Sequence, residues 1–166
     1  MKAVYTSTSL KQSHALSRVF VKTLKASRTH ATVMGFIGEL GAGKTAFTQG
    51  IARALGIKHR MLSPTFLIER KYQIRNSNFD TLYHFDWYRL HKKRELDSTT
   101  FFRILKNPKA LVIVEWADQI REALPKNTLL LYFHHGKTAH IRTITFPYDP
   151  VRGRGRRHNS LRQNNL

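Results

Sequence analysis

Ala31-Thr32-Val33-Met34-Gly35-Phe36-Ile37-Gly38-Glu39-Leu40-Gly41-Ala42-Gly43-Lys44-Thr45 decides the fold. Residues 31–37 form a short apolar run with β-branched members, which predicts a buried strand. Residues 38–45 satisfy Gly-x-x-x-x-Gly-Lys-Thr in full, the pattern of a phosphate-binding loop. Behind them Phe47, Ile51, Ala54 and Leu55 fall on one helical stripe, and Gly56 stands where a helix end favours a left-handed residue. Strand, loop and helix in that order are the context the pattern requires, and they point to an α/β fold.

Each residue type in the loop has a physical reason. Gly38, Gly41 and Gly43 permit backbone conformations in which successive N–H groups converge on one phosphate. Glu39, Leu40 and Ala42 contribute backbone N–H groups, and the helix that follows adds its positive N-terminal end. Lys44 would reach the β- and γ-phosphates as a point charge, and the Thr45 hydroxyl would ligate magnesium. The expected ligands are therefore ATP and Mg2+.

Such a site also needs an acid at the end of a neighbouring strand to hold the magnesium shell. Two residues fit. Glu115 terminates Leu111-Val112-Ile113-Val114, a Walker B arrangement with Glu in place of Asp. Asp86 lies in His84-Phe85-Asp86-Trp87-Tyr88-Arg89, at the end of another predicted strand. Taken alone, either acid would be read as capping a turn or pairing with an arginine; the phosphate loop favours the functional reading of both.

Outward from this centre the chain alternates helices and strands. Ser9 with Gln12 forms a capping-box pattern, followed by Leu16, Val19, Phe20 and Leu24 on one helical face. Leu67 to Ile74 and Phe79 to Leu90 predict two strands around Asn76-Ser77-Asn78. Asp97 to Leu105 predicts a helix, Lys109 to Trp116 a buried strand, and Asp118 to Leu124 a short helix stopped by Pro125. Thr128 to Phe133 and His140 to Phe146 predict a closing hairpin, with His134-His135 in its turn. The expectation is a single-domain α/β fold over residues 1–150, a P-loop NTPase-like mixed sheet with antiparallel edges, flanked by helices. Residues 151–166, rich in Arg, Gly and Asn, predict a basic, disordered tail.

Composition sets the outer limits. A chain of 166 residues is long enough for one sizeable core. No apolar stretch reaches the roughly 18 residues of a membrane span, and the N-terminus lacks the apolar run of a signal peptide, so the cytoplasm is expected. With no cysteine there is no disulfide framework and no thiolate chemistry. Lysine and arginine number 29 against 10 acids, a formal charge of +19, and Arg152, Arg154, Arg156, Arg157 and Arg162 crowd the tail. Such a field attracts polyanions, nucleic acid first among them. The nine histidines show no metal-ligand spacing. Trp87 and Tyr88 beside Arg89 could stack on a base, but packing is the simpler reading.

Four motifs in order resemble one family. Gly38 to Thr45, Ser63-Pro64-Thr65-Phe66, Tyr83 to Arg89, and Val114-Glu115-Trp116 together are similar to the TsaE (once YjeE) family, over about Ser7 to Leu124. Its members are bacterial P-loop ATPases required for threonylcarbamoyladenosine in tRNAs that read codons beginning with A. The resemblance implies ATP phosphates on Leu40 to Thr45, magnesium on Thr45 and Glu115, and Trp116 beside the nucleotide. Asp86 would be a magnesium-shell ligand or an orienter of the attacking water, and Ser63 and Thr65 would belong to a switch-like loop near the γ-phosphate. The implied partners are the threonylcarbamoyl transferase and its inactive paralogue. Glu39 stands where the family has Asp, and the strong positive charge is not a family feature; it leaves open direct contact with tRNA or docking on an acidic partner. Two other readings remain: a small-molecule kinase, for whose lid the chain has little room, and an RNA-binding module with a vestigial P-loop.

Overall fold

The structure is a computed structural model that describes residues 2–58, 69–74, 78–88, 96, 100–138 and 140–151. In chain order the described elements are β1 (Ala3–Ser7), α1 (Leu10–Lys22), β2 (Thr32–Gly38), α2 (Lys44–Ala54), β3 (Glu69–Gln73), β4 (Thr81–Asp86), α3 (Phe101–Leu105), β5 (Ala110–Glu115), β6 (Leu129–His135) and β7 (Arg142–Phe146). The strands form one sheet in the order β1-β7-β6-β2-β5-β4-β3. Its centre is parallel, through the β6–β2, β2–β5 and β5–β4 pairs, and both edges are antiparallel. This is the mixed α/β sheet that the sequence predicts.

Apolar side chains alternate between the two faces with the period of a strand. On one face Met34, Phe36, Leu111, Ile113, Leu131 and Phe133 pack under α1 and α2. On the other, Val33, Phe85, Val112 and Val114 pack against Phe101 and Ile104 of α3. Phe47 of α2 anchors the first layer, with its ring against Phe20, Phe36, Phe133 and Phe146. Such aromatic clusters combine large area burial with favourable edge contacts.

Local chemistry sets the helix ends and crossings. Ser9 caps α1, its hydroxyl accepting from the Gln12 N–H at 3.2 Å. Gln12 Oε1 reaches back to the Thr8 N–H at 2.7 Å, one residue earlier than the usual capping box. Gly50 lets α2 approach α1 closely, since a Cβ there would lie 2.1 Å from Ser17 Oγ.

Several expectations need correction. β1, an edge strand whose apolar Ala3, Val4 and Tyr5 follow one another without alternation, is absent from the sequence reading. Asp118 to Leu124 is not an α-helix but a run of turns with one 3-10 turn at Arg121–Ala123. His134 and His135 continue β6, because pairing with β7 extends to His135 opposite Arg142; the reversal comes after them, with the Gly136 N–H bonded to Ile141 O at 2.8 Å. Of the predicted strand Leu67 to Ile74 the first two residues, and of the predicted helix Asp97 to Leu105 residues 97–99, lie outside the described residues. So do Asn76-Ser77, Arg89, Leu90 and residues 152–166.

Candidate functional site

Strand pairing brings the two predicted acids together. In the parallel β4–β5 pair Asp86 is the register partner of Glu115, and in the β2–β5 pair Glu115 stands beside Phe36. Alternation places Ile113 and Glu115 on the α2 face of β5. The same period places Leu82, His84 and Asp86 on that face of β4. Both carboxylates therefore end at the C-terminal edge of the sheet, where β2 hands the chain to the loop and α2. That edge is where open α/β sheets present their ligand sites.

The loop takes the conformation its glycines allow. Gly38, Gly41 and Gly43 have φ of +149°, +76° and +98°. At Gly38 a side chain is also excluded sterically, because a Cβ would meet Phe133 O at 2.2 Å. The end of the β6–β7 hairpin supports the loop from behind. His135 Nε2 donates to Leu40 O at 3.0 Å, and Arg142 Nε donates to Gly41 O at 2.9 Å. These two donors occupy loop carbonyls, so that it is N–H groups that the loop offers to an anion.

Lys44 opens α2 and is almost fully buried. Its ammonium donates to Gly38 O at 2.6 Å and Glu39 O at 2.8 Å, and lies 3.8 Å from the centroid of the Trp116 ring. Burial holds its pKa below the ordinary lysine range, opposed by the nearby Glu115 and Asp86 charges. Trp116 has φ of +58°, a left-handed conformation uncommon outside glycine, so its indole is aimed back over Lys44 rather than along the strand. Its ring also meets Tyr88, with centroids 5.0 Å apart.

Glu115 is 1% exposed and accepts from three side chains. Thr45 Oγ1 donates to Oε2 at 2.7 Å, Thr48 Oγ1 to Oε1 at 3.0 Å, and His84 Nε2 to Oε1 at 2.8 Å. Asp86 Oδ1 accepts from the Tyr88 N–H at 3.1 Å. His84 and Thr48 are contributors that the sequence reading did not single out, and Tyr88, read there as a base-stacking or packing residue, lines the cavity. The signals were there: His84 precedes Asp86 by the two residues of a strand period, and Thr48 follows Thr45 by three along the helix.

A cavity of about 340 Å³ joins these groups, lined by Leu40, Gly41, Gly43, Lys44, Thr45, Ala46, Asp86, Tyr88, Glu115 and Trp116. Of the predicted site residues, Leu40, Gly41, Gly43, Lys44, Thr45, Asp86, Glu115 and Trp116 thus line one space. Gly38, Glu39 and Ala42 complete the loop without lining the cavity, while Ser63 and Thr65 lie outside the described residues. Among the described residues no cluster of three or more His, Asp or Glu side chains could hold a metal unaided. The donor set suits a hard cation that arrives with its own oxygen ligands: a hydroxyl and two carboxylates, all oxygen. Among the described residues no helix is long and apolar enough to cross a membrane.

Known proteins share this architecture. The family model for threonylcarbamoyl adenosine biosynthesis protein TsaE matches residues 7–144. The tRNA threonylcarbamoyladenosine biosynthesis protein TsaE of Bacillus subtilis is 37% identical over 114 residues, which cover 68% of each chain. That of Haemophilus influenzae is 31% identical over 113 residues, covering 68% of this chain and 69% of the relative. The crystal structure of YdiB from Bacillus subtilis superposes with a TM-score of 0.64 at 27% identity, covering 88% of this chain and 84% of that one.

Proposed function

The chain belongs to the TsaE family, and from that premise we propose that it binds ATP with magnesium in the Lys44–Glu115 cleft and hydrolyses it in support of threonylcarbamoyladenosine formation on tRNA. The observation that carries the reading is the juxtaposition of Lys44, Thr45, Asp86 and Glu115 in one cavity beneath a loop of left-handed glycines. These residues fit a nucleoside triphosphate: backbone N–H groups and a buried ammonium for phosphate oxygens, and a hydroxyl–carboxylate pair for the cation.

Hydrolysis joins a water oxygen to the γ-phosphorus and breaks its bond to the β-phosphate oxygen, releasing ADP and phosphate. Lys44 exchanges its two carbonyl partners for β- and γ-phosphate oxygens. Thr45 and Glu115 would hold the magnesium ion, whose role when bound is to neutralise charge on the phosphates. Asp86 would orient the attacking water, a role that its place beside Glu115 in the lining of the cavity supports. Trp116 and Tyr88 wall the cleft beside the nucleotide. Hydrolysis would be slow in isolation and quickened by the threonylcarbamoyl transferase and its inactive paralogue.

A second observation favours direct contact with tRNA. Lys11, Arg18 and Lys22 follow one another at seven and four residues along α1, all exposed. They form a stripe about 16 Å long at the rise of an α-helix. Neither α1 nor α2 contains an acid, and among the described residues none of the three cations has an ion-pair partner. Such a row matches a run of phosphates.

The test is reconstitution of the modification on unmodified tRNA with the transferase, its paralogue and this chain. Repeated turnover that needs this chain and hydrolysable ATP is expected. Full modification in its absence would reject the reading.

A further inference from the structure

We propose that His84 is a positioning residue for Glu115, holding its carboxylate so that Oε2, beside Thr45, is the oxygen presented to magnesium. The inference rests on the assignment of Glu115 and Thr45 made above and goes beyond it, since it says what fixes the ligand.

The distribution of donors carries it. Oε1 of Glu115 receives His84 Nε2 at 2.8 Å and, at 3.0 Å, the Thr48 hydroxyl, whose one proton is shared with Lys44 O at 3.1 Å. Among the described residues Oε2 receives the Thr45 hydroxyl alone, at 2.7 Å. The carboxylate is therefore pinned through one oxygen from the core side and left open through the other. Glutamate has one more rotatable bond than aspartate, so at the end of β5 it needs this second anchor to hold one geometry. The contact with a carboxylate also fixes the imidazole: Nε2 carries the proton and donates.

Packing alone does not account for a histidine here. His84 is fully buried; the face it occupies holds Leu82 and Asp86 along its own strand, Ile113 across β5 and Arg70 across β3, of which Leu82 and Ile113 belong to the apolar layer. A leucine would continue that row. Instead the chain buries an imidazole whose Nδ1 has no hydrogen-bond partner among the described residues, an arrangement that costs stability. The other ring nitrogen is spent on Glu115. Outer donors of this kind orient ligands and tune affinity for the ion they surround.

The experiment is calorimetric titration of Mg2+ into the protein saturated with a non-hydrolysable ATP analogue, for wild type, His84→Leu, His84→Gln, His84→Asn and Glu115→Gln. Analogue affinity in EDTA and thermal melting report folding. Glutamine sets an amide N–H near the place of Nε2, whereas asparagine falls short of it. We expect His84→Leu and His84→Asn to bind Mg2+ roughly 10–100-fold more weakly, His84→Gln to recover most of the loss, and analogue affinity in EDTA to hold steady. If His84→Leu does not fold, the contrast between Gln and Asn decides, and equal Mg2+ affinity in those two overturns the proposal. Wild-type Mg2+ affinity in His84→Leu, with Glu115→Gln impaired, overturns the positioning role alone. Wild-type affinity in Glu115→Gln overturns the ligand assignment and the positioning role together.

Discussion

Asp86 and Glu115 are register partners on adjacent parallel strands, yet their surroundings differ. Glu115 shares its oxygens among Thr45, Thr48 and His84, whereas the Tyr88 backbone donates to Asp86. Equivalent positions in the sheet thus carry unequal chemistry, one acid tied to the Thr45 hydroxyl and the other turned toward the remainder of the cleft.

The difference predicts separable phenotypes. Asp86→Asn should lower kcat by about 100-fold or more, as expected for loss of a water-orienting acid, while Mg2+ affinity stays near wild type. Glu115→Gln should weaken Mg2+ binding as well as turnover. Steady-state hydrolysis at varied Mg2+ checks both, and a matching Mg2+ defect in Asp86→Asn would assign that acid to the metal shell instead.

Lys44 supplies a pH signature. Burial lowers its pKa from 10.5 in the folded protein. Between the lowered value and 10.5 the unfolded chain binds more protons, so stability without nucleotide rises with pH across that window. Melting curves of wild type and Lys44→Met should show wild type gaining on the variant as pH climbs through it. Phosphate restores the charged form, so nucleotide affinity of the wild type should fall over the same range.

The α1–α2 crossing is a packing prediction. In Gly50→Ala the new Cβ would lie 2.1 Å from Ser17 Oγ and 3.1 Å from His14 Cα, so the Ser17 hydroxyl must turn away and α1 must give by a few tenths of an ångström. A cost of about 1–3 kcal/mol is expected, seen as a fall in Tm of roughly 3–10 °C. Adding Ser17→Gly should recover part of it.

The α1 stripe predicts a salt dependence. Replacing Lys11, Arg18 and Lys22 together by Gln should weaken tRNA binding. It should also flatten the plot of log K against log salt by about two to three units, near 0.7–0.9 for each phosphate that the variant leaves unneutralised. An unchanged slope would place any RNA contact elsewhere.

The sheet and the phosphate loop are legible in the sequence because their signals are local. A β-branched apolar run, a glycine pattern and a 3.6-residue stripe each declare an element without knowledge of its neighbours. β1 escapes because an edge strand needs only half its residues buried, and Ala3–Ser7 carries little apolar pattern. The turns after Asp118 escape because the helical pattern of Ile120 and Leu124 serves equally to pack a loop against the second core layer. At the site, acids at strand ends are visible in one dimension, but their partners are not. His84 meets Glu115 across β4–β5, and Arg142 meets Gly41 across 101 residues, contacts set by register rather than by composition.

The most direct test of the account is ATP hydrolysis by the wild type, Lys44→Ala and Glu115→Ala, each with and without the transferase and its paralogue. The account predicts slow hydrolysis by the isolated wild type, faster hydrolysis with both partners present, and loss of the stimulated rate in both variants. Robust turnover that the partners leave unchanged, or that survives Lys44→Ala, would contradict it.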